Sequence, residues 1–373
     1  MAKTTRIYFA SNRDVKHETS KNANNFGNRF NADGPQFFRV GFVDVADKGG
    51  DPKDDENWVA GQCDLYPENL DPNRAADVKI GSPKFFEDLR KILVESAQDI
   101  IVFIHGFAND FPNTARRAAA LQKLYSAAGF NQMVVAFSWP SNGNVFPAYE
   151  YFSDREDAEM SGVAMARALN KFVNFLRELR DADRKTLREF QNRGEVPPQK
   201  LLKQCERRVH LVAHSMGNYA LGFAVTKLAE LNGLKKLPRI FEHTFLMAAD
   251  ADADGLSESL KLGRLIELSN VIHVYHSKED RALQISDDTK GNPARLGADG
   301  PANFDKLNER ILALDCIDVD DTIASHGRHQ YYRLREEVIR DVQATLAGKP
   351  YDNRTWRIEK KSGRAWRIKK ANA

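Results

Sequence analysis

The stretch "HLVAHSMGNYAL", residues 210–221, sets a serine between His214 and Met216, with Ala213 two positions before it and Gly217 two positions after, at the end of an apolar run. Small residues at those two offsets permit a sharp strand-to-helix turn that lifts a serine hydroxyl out of a sheet. The same five residues also serve as a plain tight turn. The choice between the two readings depends on the rest of the chain.

Outward from this point, six apolar, β-rich runs alternate with helical stretches: residues 99–107, 132–140, 208–215, 243–250, 271–277 and 313–319. Near-continuous hydrophobicity suits strands covered on both faces, and the alternation predicts an open, mostly parallel sheet with helices on both sides. Apolar residues at three-to-four spacing predict helices over 154–180, directly after the serine, and over 329–348. Upstream, "RIYFASNR" and "FFRVGFVDV" read as leading antiparallel strands joined by polar, Asn-rich connections. The charged stretch 181–207 joins a helix to the start of a strand. It is expected as a helical extension and loop at the edge of the sheet away from the ligand-binding carboxyl ends.

A chain of 373 residues with 42% hydrophobic content can bury a large core. It contains no run of eighteen apolar residues, and its first residues lack the apolar segment of a secretory signal, so the expectation is a soluble, cytoplasmic protein. Cys63, Cys205 and Cys316 form no CxxC pair, which supports neither a disulfide framework nor a thiolate zinc site. No glycine-rich phosphate-binding pattern follows a strand, and "HGRH" has no carboxylate at ligand spacing. No cofactor and no metal are therefore expected.

The net charge of +3 is unevenly placed, because residues 354–370 hold eight Lys or Arg against one Glu and leave the remainder at −4. In that tail "WRI" occurs at Trp356 and again at Trp366, on either side of Ser362 and Gly363, which predicts a basic β-hairpin over 350–373. Three roles are open to it: packing both tryptophans on the body, extending a sheet into a second copy, or holding an anionic partner. Neither a clear nucleic-acid signal nor a transmembrane one is present.

A nucleophilic Ser215 would need a base, a carboxylate to orient it and N–H donors where oxyanion charge develops, all just past strand ends and in the order Ser, acid, His. Acids follow two successive strands: Asp250, Asp252 and Asp254 after one, Asp280 with Glu279 beside it after the next. His326 and His329 come after the last strand. His105 and His214 flank backbone turns and read as loop supports rather than bases.

The ordered set "IYFASNR", "FIHGF", "FSWPSNG", "LVAHSMGNYAL", "AAD", "YHSKEDRALQIS", "RLG" and "HQYY" resembles the α/β-hydrolases, lipases and esterases with an "AHSMG" elbow among them. More closely it resembles a bacterial α/β-hydrolase family whose physiological substrate is unassigned. The resemblance spans residues 6–346, with Ala213 in place of the usual elbow glycine. It implies an α/β-hydrolase domain over 1–349 (leading strands and loops over 1–95, catalytic core over 96–349), with the hairpin outside it. It further implies Ser215 as nucleophile, Asp280 as orienting acid and His329 as base, with Asp250 and His326 as the alternatives. Oxyanion donors would be the backbone N–H groups of Phe107 and Met216, the latter in the first turn of a helix where unpaired donors and the dipole favour negative charge. "SWPSNGNVFPAYEYF" supplies Trp139, Phe146 and Tyr149 to an aromatic rim compatible with a small ester. The expected activity is a serine hydrolase of carboxylic esters. The alternative is a hydrolase-fold binding or scaffold protein with a vestigial site, which has no need for all three groups at strand ends.

Overall fold

Apolar β-rich runs buried on both sides make the centre of the molecule. The computed structural model describes residues 3–67, 81–96, 98–127, 129–142, 149–198, 207–257, 261–288, 294–319, 327–352, 354–361 and 363–370. Its parallel strands are β6 (Gln98–Ile104), β7 (Asn131–Ser138), β8 (Val209–His214), β9 (Phe241–Met247), β10 (Ser269–His276) and β11 (Ile311–Asp315), each overlapping one predicted run. Every residue of β8 is buried, as a strand with helices on both faces requires. The leading strands β1 (Lys3–Ser11), β4 (Arg39–Asp47) and β5 (Trp58–Leu65) add an antiparallel edge, with β1 also parallel to β7. A small separate ribbon is formed by β2 (Arg13–Val15) and β3 (Phe26–Phe30).

With β12 (Arg357–Lys361) and β13 (Ala365–Ile368), the main sheet runs β12-β13-β11-β10-β9-β8-β6-β7-β1-β4-β5. The chain leaves β6 toward β7 on one side and β8 toward β9 on the other, so the topology reverses between β6 and β8. That crevice at the carboxyl ends of the strands is where open α/β sheets bind ligands.

One face of the sheet is packed by α1 (Gly81–Glu95), α3 (Tyr149–Gln191) and α4 (Met216–Leu231). The other carries α2 (Phe111–Tyr125) and α9 (Glu336–Leu346). Asp110 starts α2 by accepting the Asn113 N–H at 2.7 Å, with Pro112 in the first turn. Four shorter helices sit in the connections: α5 (Leu265–Leu268), α6 (Arg281–Asp288), α7 (Leu296–Asp299) and α8 (Tyr331–Leu334). At 43 residues, α3 is about 65 Å long by the usual rise of roughly 1.5 Å per residue. Residues 181–191 of the charged stretch simply continue it, whereas 199–206 lie outside the described residues. No described helix is long and apolar enough to cross a membrane.

The C-terminal hairpin turns at Gly363 (φ 64°) and joins the main sheet, β13 lying parallel to β11. Trp366 and Ile368 are buried, and the Trp356 indole N–H donates to Asp341 at 2.8 Å, so both tryptophans engage the body. Much of the basic charge is already spent internally: Arg354 and Arg357 bind the buried Asp341, Arg367 binds Asp315, and Lys361 binds Asp305.

Three neighbouring strands bring histidines together: His210 and His243 pair across β8 and β9 toward their N-terminal ends, and His273 follows two positions further along β10. His210, His243 and His273 are buried, their rings 5.4 and 5.2 Å apart in sequence, and His273 Nε2 lies 3.2 Å from His243 Nδ1. Burial above all holds each below its ordinary value, His243 down to about 3. The folded chain therefore keeps them neutral, while the unfolded chain protonates them below about 6.5. Stability is complete above that value and falls as pH drops from about 6.5 toward about 3, by several kcal/mol for a fully neutralised site. Urea midpoints measured from pH 7.5 to 4 are expected to fall with a slope that His243→Phe reduces; equal slopes in the two proteins would contradict this account.

Candidate active site

The turn between β8 and α4 puts Ser215 at φ 52°, ψ −127°, a conformation that side-chain-bearing residues rarely adopt. Its main chain is tied on three sides: Ser215 N–H donates to Met247 O at 3.0 Å, and Ser215 O accepts from Asn218 N–H at 3.0 Å and Asp250 N–H at 3.1 Å. Close approach explains the glycines. A Cβ on Gly217 would stand 2.5 Å from His105 O, and one on Gly106 would stand 2.8 Å from the Ser215 Cβ. Ala213 is fully buried, so its methyl is accommodated beside the turn.

Asp280 follows β10 and is completely buried. Its Oδ1 accepts the Leu283 N–H at 3.1 Å, capping α6, and its Oδ2 lies 2.7 Å from His329 Nδ1. One carboxylate thus fills both the capping and the orienting position. His329 is delivered by two consecutive left-handed residues, Gly327 (φ 55°) and Arg328 (φ 60°). Its loop is zipped to the acid's loop by Arg281 N–H to Gly327 O at 3.0 Å and by the Arg328–Glu279 ion pair at 2.6 Å. Downstream, Tyr331 donates its hydroxyl to Tyr275 O at 3.0 Å, which explains the first tyrosine of "HQYY".

The loop after β6 is shaped by groups the sequence did not single out. Asn109 Nδ2 donates to Gly106 O at 3.0 Å and Phe107 O at 2.8 Å, while Asn109 N–H donates to Ser141 Oγ at 3.1 Å. In a trans peptide the Phe107 N–H points opposite to the Gly106 carbonyl, and so away from Asn109. The fully buried Arg13 spans three connections, donating to Ser141 O and Gly27 O at 3.1 Å, to Ser138 Oγ at 2.9 Å and to Asn109 O. Burial pulls this guanidinium down to about 10, within a range where it stays cationic. Asp154, also buried, accepts from Ser141 Oγ and from Asn142 N–H at 3.3 Å. The signal of this assembly in the sequence is the polar "SNR" that follows the apolar "IYFA" of β1.

Other predicted residues stand elsewhere. Asp250 is buried beside β9, accepts the Tyr151 hydroxyl and lies 3.7 Å from both Arg155 and Arg295. His326 and Phe146 lie outside the described residues, and the Tyr149 side chain is not described. Trp139, expected on an aromatic rim, is instead fully buried. Its ring stacks on His105 at 5.0 Å and its indole N–H donates to His105 O at 2.9 Å, so it braces the turn after β6 from below. His105 and His214 both support loops: His105 Nδ1 meets Gly106 O at 2.8 Å, and His214 Nε2 meets His329 O at 3.1 Å. Cys63 and Cys316 are buried, and desolvation raises both thiols, Cys63 to about 12, which keeps them protonated and unreactive. Among the described residues no group of three or more His, Cys, Asp or Glu is arranged to hold a metal ion.

Comparison with curated proteins gives no match. A family model described as "Alpha/beta hydrolase of unknown function (DUF900)" matches residues 84–183 and 199–348. These two stretches make up about two thirds of the chain and contain Phe107, Ser215, Asp280 and His329. The chain therefore belongs to the DUF900 family of α/β-hydrolases.

Proposed function

We propose that the protein is a serine hydrolase that cleaves carboxylic esters through an acyl-enzyme on Ser215. The observation that carries this reading is the buried 2.7 Å bond between Asp280 and His329, with Ser215 held at φ 52° at the switch point of the sheet and its neighbour His214 3.1 Å from the His329 carbonyl. Ser215 Oγ bonds to the substrate carbonyl carbon as its proton passes to His329 Nε2. Asp280 holds the Nδ1–H tautomer and stabilises the imidazolium that forms. Carbonyl electrons move to the oxygen, where the N–H groups of Phe107 and Met216 are the donors, the second being an unpaired donor of the first turn of α4. Collapse of this intermediate expels the alcohol, which takes the proton from His329, and water repeats the sequence to release the acid.

A binding or scaffold role gives no reason to bury a carboxylate against an imidazole, because desolvating such a pair costs stability rather than adding it. Treatment of the full chain with a fluorophosphonate, followed by peptide mapping, tests the proposal. A single adduct is expected on Ser215; an adduct elsewhere, or none, overturns it.

A further inference from the structure

His214, the last residue of β8, makes contacts that its place next to the nucleophile does not by itself require. Its ring is buried, stacked on Tyr332 at 4.4 Å and 4.7 Å from the ring of His329. Its Nε2 lies 3.1 Å from the main-chain carbonyl of His329. A carbonyl only accepts, so Nε2 carries the proton and donates it. Nδ1 then bears a bare lone pair, and among the described residues it has no hydrogen-bond partner. A buried polar atom left in that state asks for an explanation.

We propose that His214 is a positioning residue for the His329 base, holding that residue's own backbone by hydrogen bond and its ring by contact, so that the imidazole keeps its place against Asp280. This rests on the catalytic reading above. The base sits on a loop rather than on a strand or helix, just after two left-handed residues, and Asp280 holds its side chain at Nδ1. A second restraint on its main chain comes from β8 itself, the strand that carries the nucleophile. His214 therefore links nucleophile and base through one rigid element, a distance on which proton transfer depends steeply.

The charge state of His214 fits that role. Burial first, then His329, hold it well below its ordinary value, and Arg117 from α2 and Arg333 from α8 act in the same direction. Tyr332 is the remaining titratable neighbour packed on it, itself held protonated by burial. Burial thus favours the neutral form of the ring. It adds no positive charge beside the imidazolium that forms on Ser215 attack, and the bare Nδ1 is the mark of that state.

The test compares His214→Phe, which keeps the ring and its stacking but removes the donor, with His214→Gln, whose amide restores a donor near the Nε2 position. Two readouts are taken: the pH dependence of fluorophosphonate inactivation, and the titration of the His329 ring followed by NMR on histidine-labelled protein. In His214→Phe the inactivation rate is expected to fall about 10- to 30-fold, with KM for a p-nitrophenyl ester changed less than about twofold. A loosened contact with Asp280 also makes the imidazolium easier to deprotonate. Both the acid limb and the NMR midpoint are therefore expected to move to lower pH, with His214→Gln returning most of both effects. The inference is overturned if the His329 titration in His214→Phe matches wild type, or if Gln and Phe lose rate equally with the titration unmoved, as plain packing damage would give. Should His214→Phe not fold, the low-field His329 Nδ1 proton signal in His214→Gln decides: retention supports the proposal and loss refutes it. The NMR arm needs no hydrolase activity, so a wild type unlabelled by fluorophosphonate refutes the catalytic reading while the His214 question is still answered.

Discussion

His329→Ala is expected to lower kcat on a p-nitrophenyl ester by about three orders of magnitude or more, and Ser215→Ala by a similar factor, because each removes a member of a unit that works only when complete. The double variant should be little worse than either single one. Asp280→Asn is expected to cost about two to four orders of magnitude: the amide can present its NH₂ to Nδ1 and so favour the wrong imidazole tautomer. Asp280 also caps α6 through Leu283 N–H, so thermal unfolding of Asp280→Asn must be measured alongside. The amide oxygen can keep that cap, so little stability is expected to be lost; reduced stability with kcat nearly intact would instead mark a capping role alone. Asp250→Asn provides the contrast. Its carboxylate is bound to Tyr151 and lies near Arg155 and Arg295, so its loss is expected to reduce stability far more than kcat per folded molecule. If Asp250→Asn were inactive and Asp280→Asn near wild type, the acid would belong to the earlier strand.

The parts of this site that could be read from the sequence share one property: they lie along a single strand and the turn after it. The six core strands are predominantly apolar runs, and a serine, an acid or a histidine just past the end of such a run stands out by contrast. Asp280 and His329 sit 49 positions apart; the residues alone left Asp250 and His326 open beside them, and it was the family resemblance that implied this pair, whose strands the structure makes neighbours. Arg13 shows what that logic misses. It reaches Ser138, Ser141 and Asn109 across 125, 128 and 96 residues, and nothing in the local pattern of any of these segments specifies the others. Trp139 shows a different limit. An aromatic residue after a strand end has the same composition whether it lines a pocket or braces the turn beneath it, and only its stacking on His105 separates the two. The hairpin was legible as a hairpin, but its charge was misleading, since the partner that absorbs two of its arginines is an aspartate on the buried face of the amphipathic helix α9.

That aspartate ties the tail to the core. Asp341 is fully buried and accepts from Arg357 Nε and Nη2 at 2.7 Å, Arg354 Nη1 at 3.2 Å, Trp356 Nε1 at 2.8 Å and the Tyr275 hydroxyl at 2.6 Å. Deleting residues 350–373 removes every one of these donors except Tyr275 and leaves a carboxylate in the core without a counter-charge. Breaking a buried ion pair from one side costs about 3–5 kcal/mol, and losing the buried Trp366 and Ile368 side chains about 1.5–3 kcal/mol each. The total is comparable to the 5–15 kcal/mol that holds a typical domain together, and the deletion also bares the edge of β11 for intermolecular pairing. The truncated chain is therefore expected to be largely unfolded or aggregated, and inactive for that reason rather than through any contact with the crevice. Asp341→Leu separates the charge from the lost packing. In the full chain it strands Arg354 and Arg357 and is expected to be strongly destabilising, whereas in the truncated chain it removes the uncompensated charge and is expected to restore part of the folded population. Urea unfolding of the four proteins closes the cycle. A truncated chain with the wild-type urea midpoint, or an Asp341→Leu effect of the same size in both backgrounds, would show that the hairpin and α9 are energetically independent.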